Sequence, residues 1–395
     1  MMIQAVLGNP SHPEYGVATI LFPIPRDQYA HCMELLAALE IGDAVKADCK
    51  VEKTDSFYTV LKRAEMLTVN VEELNYLAKR LESFDTGEAA QFQAMAHKLE
   101  LFELKDLINL TFCCQQATVI TDFSDLAAIG RDHYMNLHGG SASVDELNAL
   151  DGEETARRLI ESGGGTITPY GVVYDSGMKL EQVYDGRFFP CYYYEPNAIT
   201  VAVTSKAEPE DTEHITWLFL PMVQEEIDRA LLRGGITDPS EIRLSLEDSW
   251  LPHEVLDLLD MDHVDISELN ALVQALDEFS DMSIRKYAAA AVMARPHTTE
   301  QAKHLAENLD LFDFAPSAST PEEYGKYMIQ KPGRFDYDEN LDAFYDYEKY
   351  GTERMNAEDG MFTDRGYVAY KGFFRMEEVM ENRHKNGMEM GGLSR

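Results

Sequence analysis

Cysteine is scarce in this chain: there are five in 395 residues, an odd number, and no C-x-x-C pair occurs. That excludes a disulfide framework and the usual thiolate zinc sites, and it fits a reducing cytosol. The adjacent Cys113 and Cys114, in the apolar stretch LINLTFCCQQ, read as buried thiols. Long apolar runs are also missing, since none reaches the roughly 18 residues of a membrane span. The opening MMIQAVLGNPSHPEYG has neither a basic n-region nor a long apolar h-region, so no secretory signal is expected. Positive charge is the third deficit: 34 Lys and Arg face 70 Asp and Glu, a formal net charge of −36. Such a chain repels nucleic acid phosphates and anionic lipid. We therefore expect no direct nucleic-acid partner, no membrane partner and a cytoplasmic location. A basic partner, including a protein that itself binds DNA, is favoured.

Catalytic signatures are as sparse. Gly163-Gly164-Gly165 runs into Thr166-Ile167 rather than Gly-Lys-Ser/Thr, so it is no phosphate loop. No G-x-S-x-G elbow occurs. His253-Glu254 opens like a zincin helix, but Asp257 stands where the second histidine belongs. Asp132-His133 and Asp262-His263 lack a second spaced ligand cluster. We assign no catalytic, cofactor-binding or metal-binding residue and no cofactor, and expect a protein that is not an enzyme.

What is present is enough apolar material for a packed core: 45% of residues are hydrophobic and 10% aromatic, which rules out a purely disordered acidic chain. The length suggests two or three domains. The acidity is spread along it, with 15 basic and 30 acidic residues in 1–195 against 19 and 40 in 196–395.

The most informative pattern is internal similarity. VNVEELNYLAKRLESF (69–84) resembles VDISELNALVQALDEF (264–279), aligning Glu73-Leu74-Asn75 with Glu268-Leu269-Asn270 at an offset of 195. Three further pairs follow in the same order: the strand–turn–strand openings from Ile3 and Ile199, LINLTFCCQQ with LAENLDLFDF, and Phe123–Met135 with Thr320–Met328. One amphipathic match recurs by chance; four in the same order, at nearly the same offset, argue for a duplication. Alternation predicts strands over 4–7, 17–22, 200–204 and 214–220, and weaker ones over 47–51 and 242–246. Helical spacing predicts helices over 27–40, 69–84, 86–95, 223–232, 265–279, from Asp281 or Ser283 to 293, and 299–308. The fold class is therefore α+β, as tandem pseudo-duplicated small domains. Expected boundaries are a first copy over 1–140, an inserted or linking region over 141–196, a second copy over 197–372 and a frayed tail over 373–395.

One segment is locally dense in acid. RFDYDENLDAFYDYEKYGTERMNAEDG (334–360) holds nine carboxylates, Asp336, Asp338, Glu339, Asp342, Asp346, Glu348, Glu353, Glu358 and Asp359, against three bases. A solvated helix face is the ordinary reading. Yet Tyr337, Phe344, Tyr345, Tyr347 and Tyr350 lie between them and can anchor the segment on a core. Carboxylates held this way present charge at intervals like those of duplex phosphates, about one per 1.7 Å of axis. These nine are the candidate partner-binding residues.

The segment 345–368 resembles the C-terminal signature of the ArdA-type antirestriction proteins of mobile genetic elements. The match is carried by Tyr347, Glu348, Gly351, Glu358, Gly360, Phe362, Thr363 and Gly366-Tyr367-Val368. A degenerate version pairs Ile129-Gly130-Arg131-Asp132, then Gly165–Thr168 and Tyr170–Val173, with the same block. The family's Leu-Leu-Glu-Tyr-Ile motif is not found. The resemblance implies an elongated acidic DNA mimic that occupies the DNA groove of a host type I restriction-modification enzyme, as a monomeric pseudo-dimer or a homodimer. Competing readings are a mimic aimed at another defence nuclease such as a CRISPR effector, a hydrolase with an unrecognised carboxylate site, and a scaffold protein.

Overall fold

The computed structural model describes residues 2–175, 177–194, 197–207, 214–259, 263–316, 318–331 and 336–382. Of the tail expected to fray, residues 383–395 lie outside the described residues. The chain divides into two compact units. The first is Met1–Glu195 with Thr212–Trp217 and Val223–Thr237; the second is Pro196–Asp211, Leu218–Met222 and Asp238–Arg395.

Unit 1 begins with a sheet of order β2-β1-β3-β4, formed by β1 (Ile3–Gly8), β2 (Val17–Phe22), β3 (Cys49–Ser56) and β4 (Thr68–Val69). Strict alternation buries Ile3, Ala5 and Leu7 of β1 and Ala18, Ile20 and Phe22 of β2. A helix α1 (Tyr29–Ala38) separates β2 from β3. Helices α2 (Val71–Glu82), α3 (Thr86–Lys98) and α4 (Leu104–Leu110) follow. Asn70 caps α2 by accepting the Glu73 N–H, and the expected stripe Val71, Leu74, Leu77, Ala78 and Leu81 is buried. A second sheet has order β5-β7-β6, from β5 (Thr118–Ile120), β6 (Thr166–Thr168) and β7 (Gly171–Tyr174). Between β5 and β6 stand α5 (Leu126–Leu137), α6 (Val144–Ala149) and α7 (Gly152–Glu161).

Unit 2 likewise carries two small sheets with helices between them. Strands β8 (Ile199–Ser205), β9 (Thr216–Leu220) and β10 (Ile242–Ser249) form a sheet of order β10-β8-β9. Helix α8 (Gln224–Arg233) leads into β10 but packs in unit 1. Helices α9 (His253–Leu256), α10 (Ile266–Leu276), α11 (Asp281–Ala294) and α12 (Thr299–Glu307) come next. The last sheet, of order β11-β13-β12, comprises β11 (Phe312–Pro316), β12 (Asp359–Thr363) and β13 (Gly366–Tyr370), with α13 (Pro321–Gln330) and α14 (Tyr347–Ala357) between β11 and β12. A short α15 (Met376–Met380) ends the described chain. Helix α11 starts at Asp281, one of the two expected starts, and is capped by Ser280, whose hydroxyl accepts the Ser283 N–H. Ser280 has the extended backbone an N-cap needs, whereas Asp281 already lies in the first turn.

Local details recur at the same spacing. The asparagine of each Glu-Leu-Asn helix is buried and reads the turn after the second strand: Asn75 Oδ1 accepts the Ile24 N–H at 2.8 Å, and Asn270 Oδ1 accepts the Met222 N–H at 2.8 Å. Thr168 Oγ1 donates to the Gly171 carbonyl at 2.8 Å, as Thr363 Oγ1 does to that of Gly366. Both glycines sit at positive φ, 131° and 141°, which a side chain tolerates poorly. Helices α5 and α7 touch at Gly130 and Gly152, and α13 and α14 at Gly325 and Gly351. The structural counterpart of Gly351 is thus Gly152, while Gly130 matches Gly325. The expected pairing of the Tyr-Glu-x-x-Gly block with Ile129-Gly130 is therefore corrected, because the second helix of each pair carries that glycine.

The aromatic run before β8 is part of the unit 1 core. Phe189 stacks between Tyr76 and Tyr184, at centroid distances of 4.5 and 5.1 Å, and the Tyr76 hydroxyl donates to the Pro190 carbonyl at 2.8 Å. Onto the same surface α8 brings two arginines. Arg229 Nε meets Glu72 at 2.6 Å, and its Nη2 donates to the Gly42 carbonyl at 2.8 Å. Arg233, 4% exposed, donates to the Ala44 and Arg187 carbonyls, Asn70 Oδ1 and the Tyr184 hydroxyl, beside Glu73 at 3.6 Å. Burial pushes the Glu73 carboxyl up, against the Tyr184 hydrogen bond and the Arg233 charge, which pull it down.

Two predictions come from this packing. A Cβ on Gly351 would overlap the Pro321 carbonyl oxygen, so Gly351→Ala should cost about 2–3 kcal/mol in chemical denaturation. Arg233→Met strands Glu73 and several buried acceptors, so its cost should be about 3–5 kcal/mol in the same measurement; a change below about 1 kcal/mol, the scale of an exposed pair, would show the cluster to be structurally idle.

Candidate functional site

The acidic segment is built by capping. Thr320 caps α13, with Pro321 in its first turn, by accepting the Glu323 N–H. Asp338 caps a 3-10 turn over Glu339–Phe344 by accepting the Asn340 N–H at 2.9 Å. Asp346 caps α14 by accepting the Lys349 N–H at 3.0 Å. A carboxylate at a helix N-terminus is favoured by the unpaired N–H groups and the helix dipole. The local folding requirement thus places charge at the surface.

Beneath the segment lies a small core of Ala315, Ala318, Tyr324, Met328, Tyr367 and Ala369, with Tyr327, Tyr350, Met355 and Phe362 against it. Of the nine candidate carboxylates, Asp336, Asp338, Glu339, Asp346, Glu348, Glu353 and Asp359 are exposed. Asp342 and Glu358 are half-buried and serve as anchors. Asp342 Oδ1 accepts hydrogen bonds from the hydroxyls of Tyr337 at 2.6 Å and Tyr347 at 2.5 Å, and from Gln330 Nε2 at 3.1 Å. The two tyrosine hydroxyls hold its carboxyl below the usual range. Glu358 accepts from the Tyr324 hydroxyl at 2.6 Å and pairs with Arg354. The anchoring tyrosines include Tyr347 but also Tyr324, which lies outside the dense run.

A second acidic surface went unnoticed in the sequence. The module of α5, α6 and α7 in unit 1 exposes Asp122, Asp125, Asp132, Asp145, Glu146, Asp151, Glu153, Glu154 and Glu161. Asp125, Ser143 and Asp151 cap its three helices. Arg157 and Arg158 partly neutralise it, at 3.5 Å from Glu153 and 3.0 Å from Glu154. No aromatic cluster marks this stretch. The signal that could have found it is the 195-residue spacing from Gly130 to Gly325.

The residues weighed for enzyme chemistry have other work. Glu254 is bidentate with Arg365, at 2.6 and 3.2 Å, beside His253 at 3.4 Å. Burial raises its pKa, but the Arg365 hydrogen bonds, a backbone hydrogen bond and the nearby positive charge together outweigh that and hold the carboxyl below its ordinary value. His133 Nδ1 lies 2.8 Å from Thr118 Oγ1. Asp262 of the Asp262-His263 pair lies outside the described residues. Cys113 and Cys114 are buried, and burial raises both thiol pKa values. Among the described residues no group of three or more His, Cys, Asp or Glu is placed to hold a metal ion, and no helix is long and apolar enough to cross a membrane.

The fold and this surface define an acidic α+β protein whose charge is displayed on small, capped helical modules. Residues 212–369 match the family model described as Antirestriction protein (ArdA), so that part of the chain is similar to ArdA antirestriction proteins. The match runs from β9 into β13 and includes the whole acidic segment. The family is one of inhibitors, which act against restriction enzymes. A search of the curated proteins found no match.

The Glu254–Arg365 pair has a pH signature. Because the folded carboxyl is held low, its contribution is present above the unfolded value of about 4.3 and is lost as pH falls through the folded value. Arg365→Met should therefore lower stability by about 1.5–3 kcal/mol at neutral pH. Its deficit relative to wild type should shrink below about pH 4 in denaturation curves. A deficit constant with pH would contradict the assignment.

Proposed function

We propose that the chain is a non-catalytic anti-defence inhibitor that mimics DNA and competitively blocks a host type I restriction-modification enzyme. It acts in the cytoplasm of the host bacterium. The observation that carries this reading is the braced acidic segment inside the ArdA-type region, with seven of its nine carboxylates open to solvent. A groove lined by Lys and Arg meets such a surface as it meets phosphates, by charge and with release of counterions.

The reading extends to the whole chain as a tandem duplication. It is supported by the common strand order, the 195-residue recurrence of the Glu-Leu-Asn helix and the Thr-x-x-Gly turn, and the glycine-paired helices of each unit. On this view the α5–α7 module is a second mimic surface, and one chain holds both copies of what a homodimer would supply.

Binding carried by many carboxylates is graded and salt-dependent. Affinity for a purified type I methyltransferase should fall steeply between low and moderate salt, linearly in log–log form. Changing Asp336, Asp338, Glu348 and Glu353 to their amides should weaken inhibition progressively and flatten the slope, with no single change abolishing it. Loss of all inhibition on one substitution, with salt indifference, would point instead to a discrete catalytic or binding site.

A further inference from the structure

The turn over Glu339–Phe344 exposes two large apolar side chains in the middle of the acidic segment, Phe344 at 84% and Leu341 at 48%. Nothing in the electrostatic reading needs them. The turn is also unusually well held. From below, Asp342 gathers the hydroxyls of Tyr337 and Tyr347 and the amide of Gln330. The Tyr345 ring packs against those of Tyr337 and Tyr347, at centroid distances of 5.7 and 5.8 Å. From the side, Asp338 caps the turn. Phe344 therefore stands on a braced support, so little conformational freedom remains to be lost when a partner covers it. The corresponding connection in unit 1, between α5 and α7, contains α6 and no Phe, Tyr or Trp over residues 139–150.

We propose that Phe344, with Leu341, is an apolar anchor that enters a pocket in the floor of the partner's basic groove. The rim of exposed carboxylates, Asp338, Glu339 and Asp346, fixes the chemistry of that partner as a cationic protein surface. This deepens the inhibitor reading above and rests on it. Charge brings the surfaces together and depends on salt. The anchor adds a part of the affinity that does not, because burial of apolar surface releases no counterions. It also gives selectivity that charge lacks: a flexible polycation satisfies the carboxylates but offers no pocket. An exposed aromatic ringed by polar groups is the usual form of an energetic centre in a protein interface. The unit 1 connection exposes Val144, at 73%, but no aromatic side chain, so the two acidic modules differ in this respect.

The test compares the full-length wild-type protein with Phe344→Ala and Leu341→Ala/Phe344→Ala. Binding to a purified type I methyltransferase and to poly-lysine is measured across a salt series, with thermal melting to confirm the fold. Phe344→Ala should weaken methyltransferase binding about ten-fold or more at every salt concentration, leave the log–log slope unchanged and leave poly-lysine binding unchanged. Phe344→Trp should restore most of the affinity. Equal binding of wild type and Phe344→Ala, or an equal loss on poly-lysine, overturns the anchor while the inhibitor reading stands. Failure of the wild type itself to bind the methyltransferase at low salt overturns both. Should the double variant melt early, the Ala and Trp single variants decide.

Discussion

Mutual repulsion among carboxylates is the constraint under which this fold exists. A net charge of −36 on 395 residues opposes compaction, most strongly where acids crowd together. The structure meets that repulsion by giving many carboxylates a local attractive partner. Asp85, Asp125, Asp151, Asp265 and Asp346 cap helices, where N–H groups and the dipole favour negative charge. Others meet cations, as Glu72 meets Arg229 and Glu254 meets Arg365. Asp342 and Glu358 are held by tyrosine hydroxyls. Each device fixes a charge relative to the backbone, which an unstructured acidic tail cannot do.

The same devices explain why charge and architecture coincide. A module of two glycine-paired helices over a three-stranded sheet is small, and its helices start at the surface. Capping those starts with Asp turns a folding requirement into a display. In unit 2 the aromatic residues beneath the display form the core; in unit 1 the aromatic investment goes elsewhere, to the stack of Tyr76, Phe189 and Tyr184 that receives α8. Two of the differences between the two Glu-Leu-Asn helices lie there: Glu72 and Tyr76 stand where the second helix has Ser267 and Ala271. Glu72 contacts the α8 arginine Arg229 and Tyr76 the aromatic run, which gives these two differences a physical reason.

Much of this was legible from the residues alone. The strands over 4–7 and 17–22 alternate cleanly because one face of their sheet is buried, and the Glu-Leu-Asn helices show their apolar stripe and their caps. The acidic segment was visible because tyrosines interrupt it. Other features were hidden by their physics. The role of Asn75 and Asn270 depends on a turn about fifty residues away, as the 51-residue span of the Ile24 hydrogen bond shows. The second acidic surface has no aromatic marker. The correspondence of Gly152 to Gly351 rests on the helix contact within each unit, Gly130 with Gly152 and Gly325 with Gly351, which local similarity around Ile129-Gly130 does not show. The docking of α8 in unit 1 rests on Arg229 and Arg233, whose partners lie far away in sequence.

In the function proposed above, the acidic surface takes the place of DNA rather than binding beside it. A competition titration tests this most directly. With a type I methyltransferase held at fixed concentration, the apparent dissociation constant of the protein should rise in proportion to added duplex carrying the recognition site, without limit. An apparent constant that levels off as a ternary complex forms, or one that ignores the duplex, would contradict it.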